Sequence, residues 1–402
     1  MKILLNDYQC NYPGNNWPIV GGTANFARFF YPILTGTGHQ LVHVTYRYVD
    51  TCRRGKALIR GEFPANNWWE VNLPKGYFTK NFTNYEGANI EHDNWGKDLV
   101  SACRQIIRAE KPDIVLLNGS YAFPWAILIA SNIENVPVVI HHAGIWSVEV
   151  DMYSDRFTTG GLKRLRQMIR DTAILPAGHI FLNQMSADVF KEKSGAKVKG
   201  RVGVIRLPSS QLPKLPPQGG AEKGNEKKEH KIGIVARWDR IKNHRAFFEI
   251  ARLAREKELP WKFYAITIIP PTDFQSEFKK EYRKYVKVLT HRSYARLKKF
   301  YQEMDMLILP SHFDVSPGVV IEAAMVGTPT VISKNVGYVD EFVSNGAKRF
   351  IVDFSDSGKA LKSLMGIVGR TYPKRLLHKL HHDHNPMFVA LEYDKFFKSI
   401  VK

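Results

Sequence analysis

The chain has 402 residues, of which 44% are hydrophobic and 12% aromatic. This length predicts two domains, and this composition excludes an intrinsically disordered chain. The charge is unusual, because 58 Lys and Arg residues against 38 Asp and Glu residues give a net charge of +20. Such a surplus favours polyanionic partners, namely nucleic acid, anionic lipid surfaces or phosphorylated substrates.

The cysteine count and the lengths of the apolar runs indicate the cellular compartment of the protein. Cys10, Cys52 and Cys103 are odd in number and far apart, which argues against a disulfide framework and fits a reducing compartment. The N-terminal apolar run is too short for a signal peptide and is better explained as a first buried strand. The sequence has no uninterrupted apolar run of membrane-spanning length. We therefore expect a cytoplasmic protein.

In the first half of the chain, short apolar runs alternate with helical patterns, which is typical of a parallel sheet with helices on both faces. Strands are predicted at Lys2–Leu5, Gln40–Thr45, Asp113–Leu117, Val136–Ile140 and His179–Leu182. Helices are predicted at Thr23–Leu34, Trp95–Ala109 and Ser186–Lys193.

Two short motifs in this half are candidates for ligand contact. Gly21 and Gly22 follow the first strand and open a helix, so that backbone N–H groups can approach a phosphate closely. The alternative is a flexible turn. His141 and His142 follow the strand that ends at Ile140, and the alternative there is a pair of structural histidines.

Two longer segments are ambiguous. Tyr46 to Asn94 is long, polar and rich in aromatic residues, and loops of this length are usually functional or disordered. Its Trp68-Trp69 pair could stack on sugar rings or enter a lipid interface, although simple packing is slightly favoured. Gly161–Asp171 has a basic amphipathic pattern suited to an anionic membrane surface, and a surface helix packed on the domain core explains it equally well.

Between Leu207 and His230 the sequence becomes rich in proline, glycine and charge, which predicts a linker. The alternation of strands and helices then restarts, which predicts a second doubly wound domain. A ligand is expected at the carboxyl ends of the strands, in a cleft between the two domains. Strands are predicted here at Lys231–Ala236, Trp261–Ile268 and Met306–Leu309, and helices at Arg245–Glu256 and Tyr294–Glu303.

The loop after the strand that ends at Ala236 is basic. Arg237 and Lys242 lie in it, just before a helix begins near His244. Two fixed cations at the carboxyl end of a strand can neutralise a diphosphate without a metal ion. A solvated basic loop is the alternative in a chain with this much positive charge.

The segment from Ser311 to Glu341 carries two carboxylates at a defined spacing. Seven residues separate Asp314 from Glu322, and Pro317-Gly318 lies between them. A loop that feeds a helix N-terminus can accept phosphate oxygens, and its carboxylates can accept hydrogen bonds from sugar or ribose hydroxyls. The alternative is an ordinary loop–helix–strand unit.

Three histidines near the C-terminus have a spacing that permits a metal site. They are His378, His381 and His382. Because cysteine partners and a second cluster are missing from the sequence around them, an exposed basic helix end is the favoured interpretation.

Taken in order, these motifs resemble those of the retaining glycosyltransferases of family 4, also called glycosyltransferase group 1. The resemblance covers most of the chain and includes the Gly21-Gly22 loop, the Arg237-x4-Lys242 pair and the Asp314-x7-Glu322 pair. The family usually has Glu where this chain has Asp314. That family has the GT-B fold, so the resemblance implies an α/β chain with two Rossmann-like doubly wound domains facing each other across a cleft.

The resemblance also implies separate binding roles for the two domains. Residues 1–207 would form an acceptor-binding domain and residues 231–385 a nucleotide-sugar-binding domain, with 208–230 as linker or exposed loop. The C-terminal helix, at about 386–402, would pack back on the first domain.

The function implied is the retaining transfer of a hexose from a UDP- or GDP-sugar to a glycan, a lipid-linked or another hydroxyl acceptor, without metal or cofactor. Arg237 and Lys242 would bind the donor diphosphate and stabilise its departure. Asp314 would hold sugar hydroxyls and Glu322 the ribose hydroxyls. The remaining donor contacts implied are Gly21, Gly22, His141, His142, Ser316, Pro317, Gly318 and Val319, with His142 as the histidine that faces the transferred sugar.

Two other functions are weighed against this one. A basic nucleic-acid-binding α/β protein would use the +20 charge directly. A GT-B sugar-nucleotide epimerase would convert the donor without an acceptor. For the glycosyltransferase, the expected partners are a nucleotide sugar, a glycan or lipid-linked acceptor and a peripheral contact with an anionic membrane on its inner face, with no specific nucleic acid.

Overall fold

The computed structural model describes residues 1–8, 11, 22–50, 57–60, 67–75, 77, 96–209, 229–267, 284–289 and 294–401. The chain divides into two compact units, each with its own sheet and hydrophobic core. Unit 1 consists of Met1–Pro208 and Pro386–Lys402, and unit 2 of Ser209–Asn385.

Unit 1 contains an eight-stranded sheet within the described residues, in the order β3-β4-β2-β1-β5-β6-β7-β8. All neighbouring strands are parallel except β3, which pairs antiparallel with β4. The strands are β1 (Lys2–Asn6), β2 (Gln40–Val49), β3 (Leu58–Arg60), β4 (Trp68–Pro74), β5 (Ile114–Asn118), β6 (Val138–His142), β7 (Gly178–Phe181) and β8 (Arg201–Val204).

The central strands of this sheet are buried along their whole length, as in β5 and β6. Continuous apolar runs of this kind form where helices cover both faces of a parallel sheet. The helices of unit 1 before Pro208 are α1 (Gly22–Gly36), α2 (Lys97–Glu110), α3 (Ala122–Ile133), α4 (Trp146–Met152), α5 (Thr159–Ile174) and α6 (Gln184–Lys193).

As far as its residues are described, unit 2 contains a five-stranded, fully parallel sheet in the order β11-β10-β9-β12-β13. Its strands are β9 (His230–Val235), β10 (Trp261–Ile266), β11 (Val286–Leu289), β12 (Met306–Leu309) and β13 (Thr330–Ile332). Its helices are α7 (His244–Glu256), α8 (Tyr294–Glu303), α9 (Gly318–Ala324), α10 (Val339–Ser344), α11 (Ser357–Met365) and α12 (Lys374–Asp383).

The last helix, α13 (Pro386–Lys398), belongs to unit 1, although unit 2 precedes it in the chain. Its inner face packs on α1 and on the sheet, and the rings of Tyr393 and Phe30 lie 4.8 Å apart. The ring of Phe396 covers Gly178 and Gly203, where an added Cβ would come within 2.8 Å of it. Neighbouring strands therefore carry glycine where the helix approaches the sheet closely.

The structure confirms the predicted α/β architecture with two doubly wound sheets, and the predicted strands and helices begin or end within a few residues of the expected positions. The prediction of one long loop from Tyr46 to Asn94 is wrong for the part that the structure describes. There β2 continues to Val49, and β3 and β4 extend the sheet.

The paired tryptophans of that segment lie in β4 and take part in packing. Trp68 is buried and its ring stacks on His43 at 4.4 Å. Trp69 donates a hydrogen bond from Nε1 to Glu110 Oε1 at 2.6 Å. Both rings are therefore held by unit 1 itself, as the packing alternative predicted.

The amphipathic segment Gly161–Asp171 is part of α5, and its apolar side faces the core. Leu165, Met168 and Ile169 are buried in the cluster that covers one face of the sheet. The packing of these side chains agrees with the surface-helix alternative. Within the described residues, no helix is long and apolar enough to cross a bilayer.

The buried face of α13 predicts a clear stability effect. Phe397→Ala should lower the free energy of unfolding by about 3–5 kcal/mol, because a fully buried ring is removed and its cavity cannot close completely. Leu391→Ala on the same helix is the matched control, since Leu391 is exposed, and should change it by less than about 0.5 kcal/mol. Urea unfolding measures both; equal effects would contradict the packing described.

Candidate functional site

The strand order in the sheet of unit 2 reverses between β9 and β12. From β9 the chain continues to β10 on one side of the sheet, and from β12 it continues to β13 on the other side. At such a point the carboxyl ends of the strands are left uncovered, and ligands of open parallel sheets bind there. The loops concerned span residues 236–243 and 310–317. These are the loops that carry Arg237, Lys242 and Asp314, so the fold brings together residues that are far apart in sequence.

Lys242 and Asp314 form an ion pair across the two loops. Lys242 Nζ donates to Asp314 Oδ2, and the two side chains are only 18% and 12% exposed. The loops are joined twice more, because His312 N donates to Ile241 O at 2.8 Å and Asn243 Nδ2 donates to Pro310 O at 3.2 Å. The ion pair is thus held in a rigid frame of short loops.

The backbone of Asp314 is fixed as well. Its N–H donates to Asn335 O at 3.1 Å, and its carbonyl oxygen accepts from Gly337 N at 2.9 Å. The shorter Asp side chain therefore stands on a backbone that cannot shift easily, and its carboxylate remains within reach of Lys242.

Arg237 is placed differently from Lys242. Its side chain is 54% exposed, and its Nη2 lies 3.0 Å from Asp239 Oδ2. Asp239 also accepts a hydrogen bond from Ile241 N at 3.1 Å, which caps the short 3-10 turn Arg240–Lys242. One aspartate thus orients the guanidinium group and shapes the turn that presents Lys242.

Glu322 lies in α9, one turn after Gly318, with Pro317 at the N-cap position. Tyr301 OH donates to Glu322 Oε2 at 2.7 Å. Burial raises the pKa of the Glu322 carboxyl, and the hydrogen bond from Tyr301 partly opposes this shift. A Cβ at Gly318 would lie 3.4 Å from Glu322 Oε1, so a glycine keeps the space beside this carboxylate open.

The other residues of unit 2 that were predicted for the donor site lie at or next to the start of α9. Ser316 Oγ lies 3.3 Å from Tyr338 OH, Gly318 is exposed, and Val319 packs against the core of unit 2. Gly22 is the first residue of α1 in unit 1, whereas Gly21 lies outside the described residues. The structure therefore joins Lys242 to Asp314 directly, and it pairs Glu322 with a tyrosine that the sequence analysis did not identify.

The two histidines predicted near the donor lie inside unit 1. They are the last two residues of β6 and do not follow it, so the predicted end of this strand is corrected by two positions. Their side chains point to opposite faces of the sheet and both are fully buried. His141 packs on Phe26 and Tyr393, with ring centroids at 4.5 and 6.1 Å.

His142 belongs to a stack of rings under α6. Its ring is parallel to that of Phe181 at 4.4 Å, and its Nε2 lies 3.0 Å from His179 Nδ1. His179 Nε2 lies 2.9 Å from Lys199 O, so it must carry a hydrogen, and His179 Nδ1 must then accept from His142. These contacts favour the structural alternative over contact with a sugar.

The electrostatics of these imidazoles follow from their burial. Burial lowers the pKa of His179 to about 4 and that of His141 to about 3. Burial and the neighbouring His179 lower the pKa of His142 well below its usual range. All three are therefore neutral at pH 7 in the folded protein.

The C-terminal histidines have no metal-binding geometry in the structure. His378, His381 and His382 lie on α12, and His382 Nδ1 is 3.2 Å from Asp383 Oδ1. Across the described ranges, no group of three or more His, Cys, Asp or Glu side chains is arranged to hold a metal ion.

Some contributors to the site were missed by sequence reasoning. Tyr301, Asp239 and Tyr338 hold Glu322, Arg237 and Ser316 respectively. Asp239 could have been found, because an acidic residue two positions after Arg237 often caps a turn. Tyr301 gave no local signal, since its partner is 21 residues away in sequence.

Comparison with known proteins agrees with this geometry. Residues 229–367 match the family model described as Glycosyl transferases group 1. This match lies within unit 2, includes both loops and confirms the prediction of a glycosyltransferase domain. A search of curated proteins gave no match.

The whole chain is similar in structure to several solved proteins. Sucrose-phosphate synthase from Thermosynechococcus elongatus has a TM-score of 0.71 at 13% identity, covering 99% of this chain and 98% of the other. A protein described as trehalose-6-phosphate from E. coli, bound with UDP-2-fluoro glucose, has a TM-score of 0.67 at 13% identity, covering 99% of both chains.

An alpha,alpha-trehalose-phosphate synthase (UDP-forming) from Burkholderia xenovorans, in complex with glucose-6-phosphate, has a TM-score of 0.67 at 12% identity and 99% coverage of both chains. At these identities the likeness establishes the fold. It confirms the GT-B class predicted from the sequence.

The buried histidines predict a pH dependence of stability. The unfolded chain binds protons on these groups below about pH 6.5, whereas folded His179 and its neighbours stay neutral until about pH 4. The unfolded state thus binds more protons in this window, and the free energy of unfolding must fall as the pH is lowered through it.

Urea unfolding between pH 7.5 and 4.5 measures this effect. His142→Phe replaces a titrating ring by a flat ring that does not titrate. The slope of the free energy of unfolding against pH should therefore decrease by up to about 1.4 kcal/mol per pH unit. His378→Phe alters an exposed histidine and should retain the slope of the unaltered protein. An unchanged slope in His142→Phe would contradict the assigned pKa direction.

Proposed function

We propose that this glycosyltransferase moves a sugar from a nucleotide-diphosphate donor to a hydroxyl acceptor, with retention at the anomeric carbon. The observation that carries the proposal is the Lys242–Asp314 pair at the strand ends where the sheet of unit 2 reverses. It lies inside the segment that matches the glycosyltransferase family model. Among proteins of the same fold, one is bound to UDP-2-fluoro glucose and one to glucose-6-phosphate, the two classes of substrate that such a reaction needs.

The chemical problem is the departure of the diphosphate. As the bond between the anomeric carbon and the phosphate oxygen breaks, negative charge builds on the phosphate and positive charge on the sugar. Lys242 has three N–H donors and uses one on Asp314, so it can also reach a phosphate oxygen. Arg237, oriented by Asp239 and half exposed, supplies the second cation. We propose that these two groups neutralise the leaving group without a metal ion.

The two carboxylates have separate roles in this proposal. Asp314 holds Lys242 in place and accepts hydrogen bonds from sugar hydroxyls. Glu322 accepts hydrogen bonds from the two ribose hydroxyls, and Tyr301 fixes its orientation. The backbone from Ser316 to Val319 lies between the two carboxylates in sequence and completes the donor site.

The acceptor proton needs no protein base. The acceptor hydroxyl oxygen forms a bond to the anomeric carbon, the bond from that carbon to the phosphate oxygen breaks, and the proton passes from the hydroxyl to the departing phosphate oxygen. The buried histidines of unit 1 take no part in this step.

The two cations give the first test. Arg237→Ala and Lys242→Met should each lower the rate of transfer about a hundredfold or more, because each removes charge stabilisation that is needed only as the diphosphate leaves. Lys334→Ala, an exposed lysine of the same unit paired with Asp353, is the control and should retain full activity.

The assay measures nucleoside diphosphate released from a panel of UDP- and GDP-sugars, with and without acceptor glycans. Full activity in either variant would refute the site. Conversion of the donor sugar without release of nucleoside diphosphate would instead indicate an epimerase, and steeply salt-dependent DNA binding unaffected by nucleotide sugar would indicate a nucleic-acid-binding protein.

Glu322 gives a second, pH-based test. Because burial raises its pKa, Glu322 becomes protonated at a higher pH than an exposed glutamate. A protonated carboxyl accepts hydrogen bonds from the ribose hydroxyls poorly. KM for the donor should therefore rise as the pH falls, with kcat less affected. Tyr301→Phe removes the hydrogen bond that lowers this pKa, so the rise in KM should begin at a higher pH.

Tyr264→Phe, a half-buried tyrosine on β10 of the same unit, is the matched control and should follow the unaltered protein. A KM profile that is the same in Tyr301→Phe and in the unaltered protein would remove Glu322 from the donor site.

A further inference from the structure

Thr328 joins the C-terminal ends of two helices in unit 2. It lies between α9 and β13, and its side chain is buried. Its Oγ1 donates a hydrogen bond to Tyr301 O at 2.6 Å, and its backbone N–H donates to Ala323 O at 3.0 Å. Tyr301 lies in the last turn of α8 and Ala323 in the last turn of α9. The hydroxyl of Thr328 therefore holds the end of α8 against the segment that follows α9.

The carbonyl oxygen of Tyr301 depends on this hydroxyl. Carbonyl groups in the last turn of a helix lack the intrahelical partner that carbonyl groups further back have. Tyr301 O accepts a hydrogen bond from Met304 N at 3.2 Å and a shorter one from Thr328 Oγ1 at 2.6 Å. Without the hydroxyl, this end of α8 would be held by the longer of the two bonds.

The side chain of Tyr301 has little freedom of its own. It is 1% exposed and packs in a small cluster with Met304 and Leu307. A Cβ at Gly233 on β9 would come within 2.7 Å of Leu307 Cδ2 and 3.1 Å of Met304 Cγ, so the packing here has no spare room. A shift of the helix end therefore moves the tyrosine hydroxyl with it.

The tyrosine hydroxyl determines how the Glu322 carboxylate is presented. Tyr301 OH donates to Glu322 Oε2 at 2.7 Å. A carboxylate has about four acceptor positions, so about three remain after this bond. The two hydroxyls of a ribose are fixed on neighbouring carbons, and both can be accepted only when the plane of the carboxylate is fixed as well.

We propose that Thr328 is a positioning residue, which acts through Tyr301 to fix Glu322 for the two hydroxyls of a ribose. The consequence is selectivity for a ribonucleotide over its 2′,3′-dideoxy form. The inference rests on the proposed function, because it takes Glu322 as the group that accepts the ribose hydroxyls. It adds to that site a buried threonine that touches no substrate.

Binding of nucleoside diphosphates to the full chain tests this selectivity without catalysis. The probes are UDP and GDP, each compared by isothermal titration calorimetry with its 2′,3′-dideoxy form. In the unaltered protein, at least one ribonucleotide should bind roughly tenfold or more tightly than its dideoxy form, because hydrogen bonds to a charged acceptor are lost in the latter.

Thr328→Val keeps the branched shape of the side chain but lacks the hydroxyl. It should reduce the preference for the ribonucleotide to about threefold or less, because the carboxylate is no longer held in one orientation. The affinity for the dideoxy form, which does not use the carboxylate, should stay within about twofold of that of the unaltered protein. Thr328→Ala, which is smaller and also lacks the hydroxyl, replaces Thr328→Val if the latter does not fold.

Two further threonine variants separate positioning from stability. Thr172→Val in α5 is the matched control, because Thr172 is also buried and its Oγ1 donates to Ile169 O at 2.7 Å. It loses a comparable hydrogen bond in unit 1 and should retain the full preference for the ribonucleotide. Thr328→Ser keeps the hydroxyl and should retain most of the preference. Circular dichroism checks that each variant is folded.

Glu322→Ala distinguishes failure of this inference from failure of the proposed function. If Glu322→Ala keeps the preference, Glu322 does not bind the ribose, and that part of the proposed function fails together with the inference. If Glu322→Ala loses the preference while a folded Thr328→Val keeps it, the role of Glu322 stands and Thr328 is excluded as a positioning residue. Equal weakening of both nucleotide forms in Thr328→Val, or no preference in the unaltered protein, would also overturn the inference.

Discussion

The reversal of strand order in each sheet is the constraint on which the function depends. The side chains of parallel strands that are buried on both faces are used in packing. Polar groups that bind or react must therefore lie where the strands end. In unit 2 the reversal lies between β9 and β12, and Lys242 and Asp314 meet there. In unit 1 it lies between β1 and β5, where Asn6 exchanges two hydrogen bonds with the backbone of Asn118.

The ion pair between Lys242 and Asp314 preorganises the candidate site and is not best explained as a source of folding stability. Partly buried charges lose hydration, and their mutual attraction repays this loss only when the geometry is fixed. Here the loops that carry them are joined by backbone hydrogen bonds, so both charges are in place before a substrate arrives. An arrangement that does not have to reorganise stabilises developing charge effectively. Asp in place of Glu fits this frame, because the tightly bonded backbone at Asp314 brings the shorter side chain within reach of Lys242.

Much of the fold could be predicted because its signals are local. Buried strands such as β5 appear as continuous apolar runs, and helices such as α7 carry apolar residues at helical spacing. The edge of the first sheet escaped prediction, since β3 and β4 mix polar and aromatic residues and are stabilised by pairing with a distant strand. For the same reason Arg237, Lys242, Asp314 and Glu322 could be proposed from their spacing, whereas Tyr301 could not.

The histidines show the limit of assigning a role from position alone. A histidine at the end of a strand in an α/β domain can face a ligand, but in this chain the ring of His142 lies among Phe181, Phe190 and His179. A buried neutral imidazole costs little when one nitrogen donates and the other accepts, as the two nitrogens of His179 do. Such a chain connects β6 to β7 and ends on the carbonyl of Lys199. By contrast, the two cations proposed for the donor site, Lys242 and Arg237, each lie beside a carboxylate of the same unit.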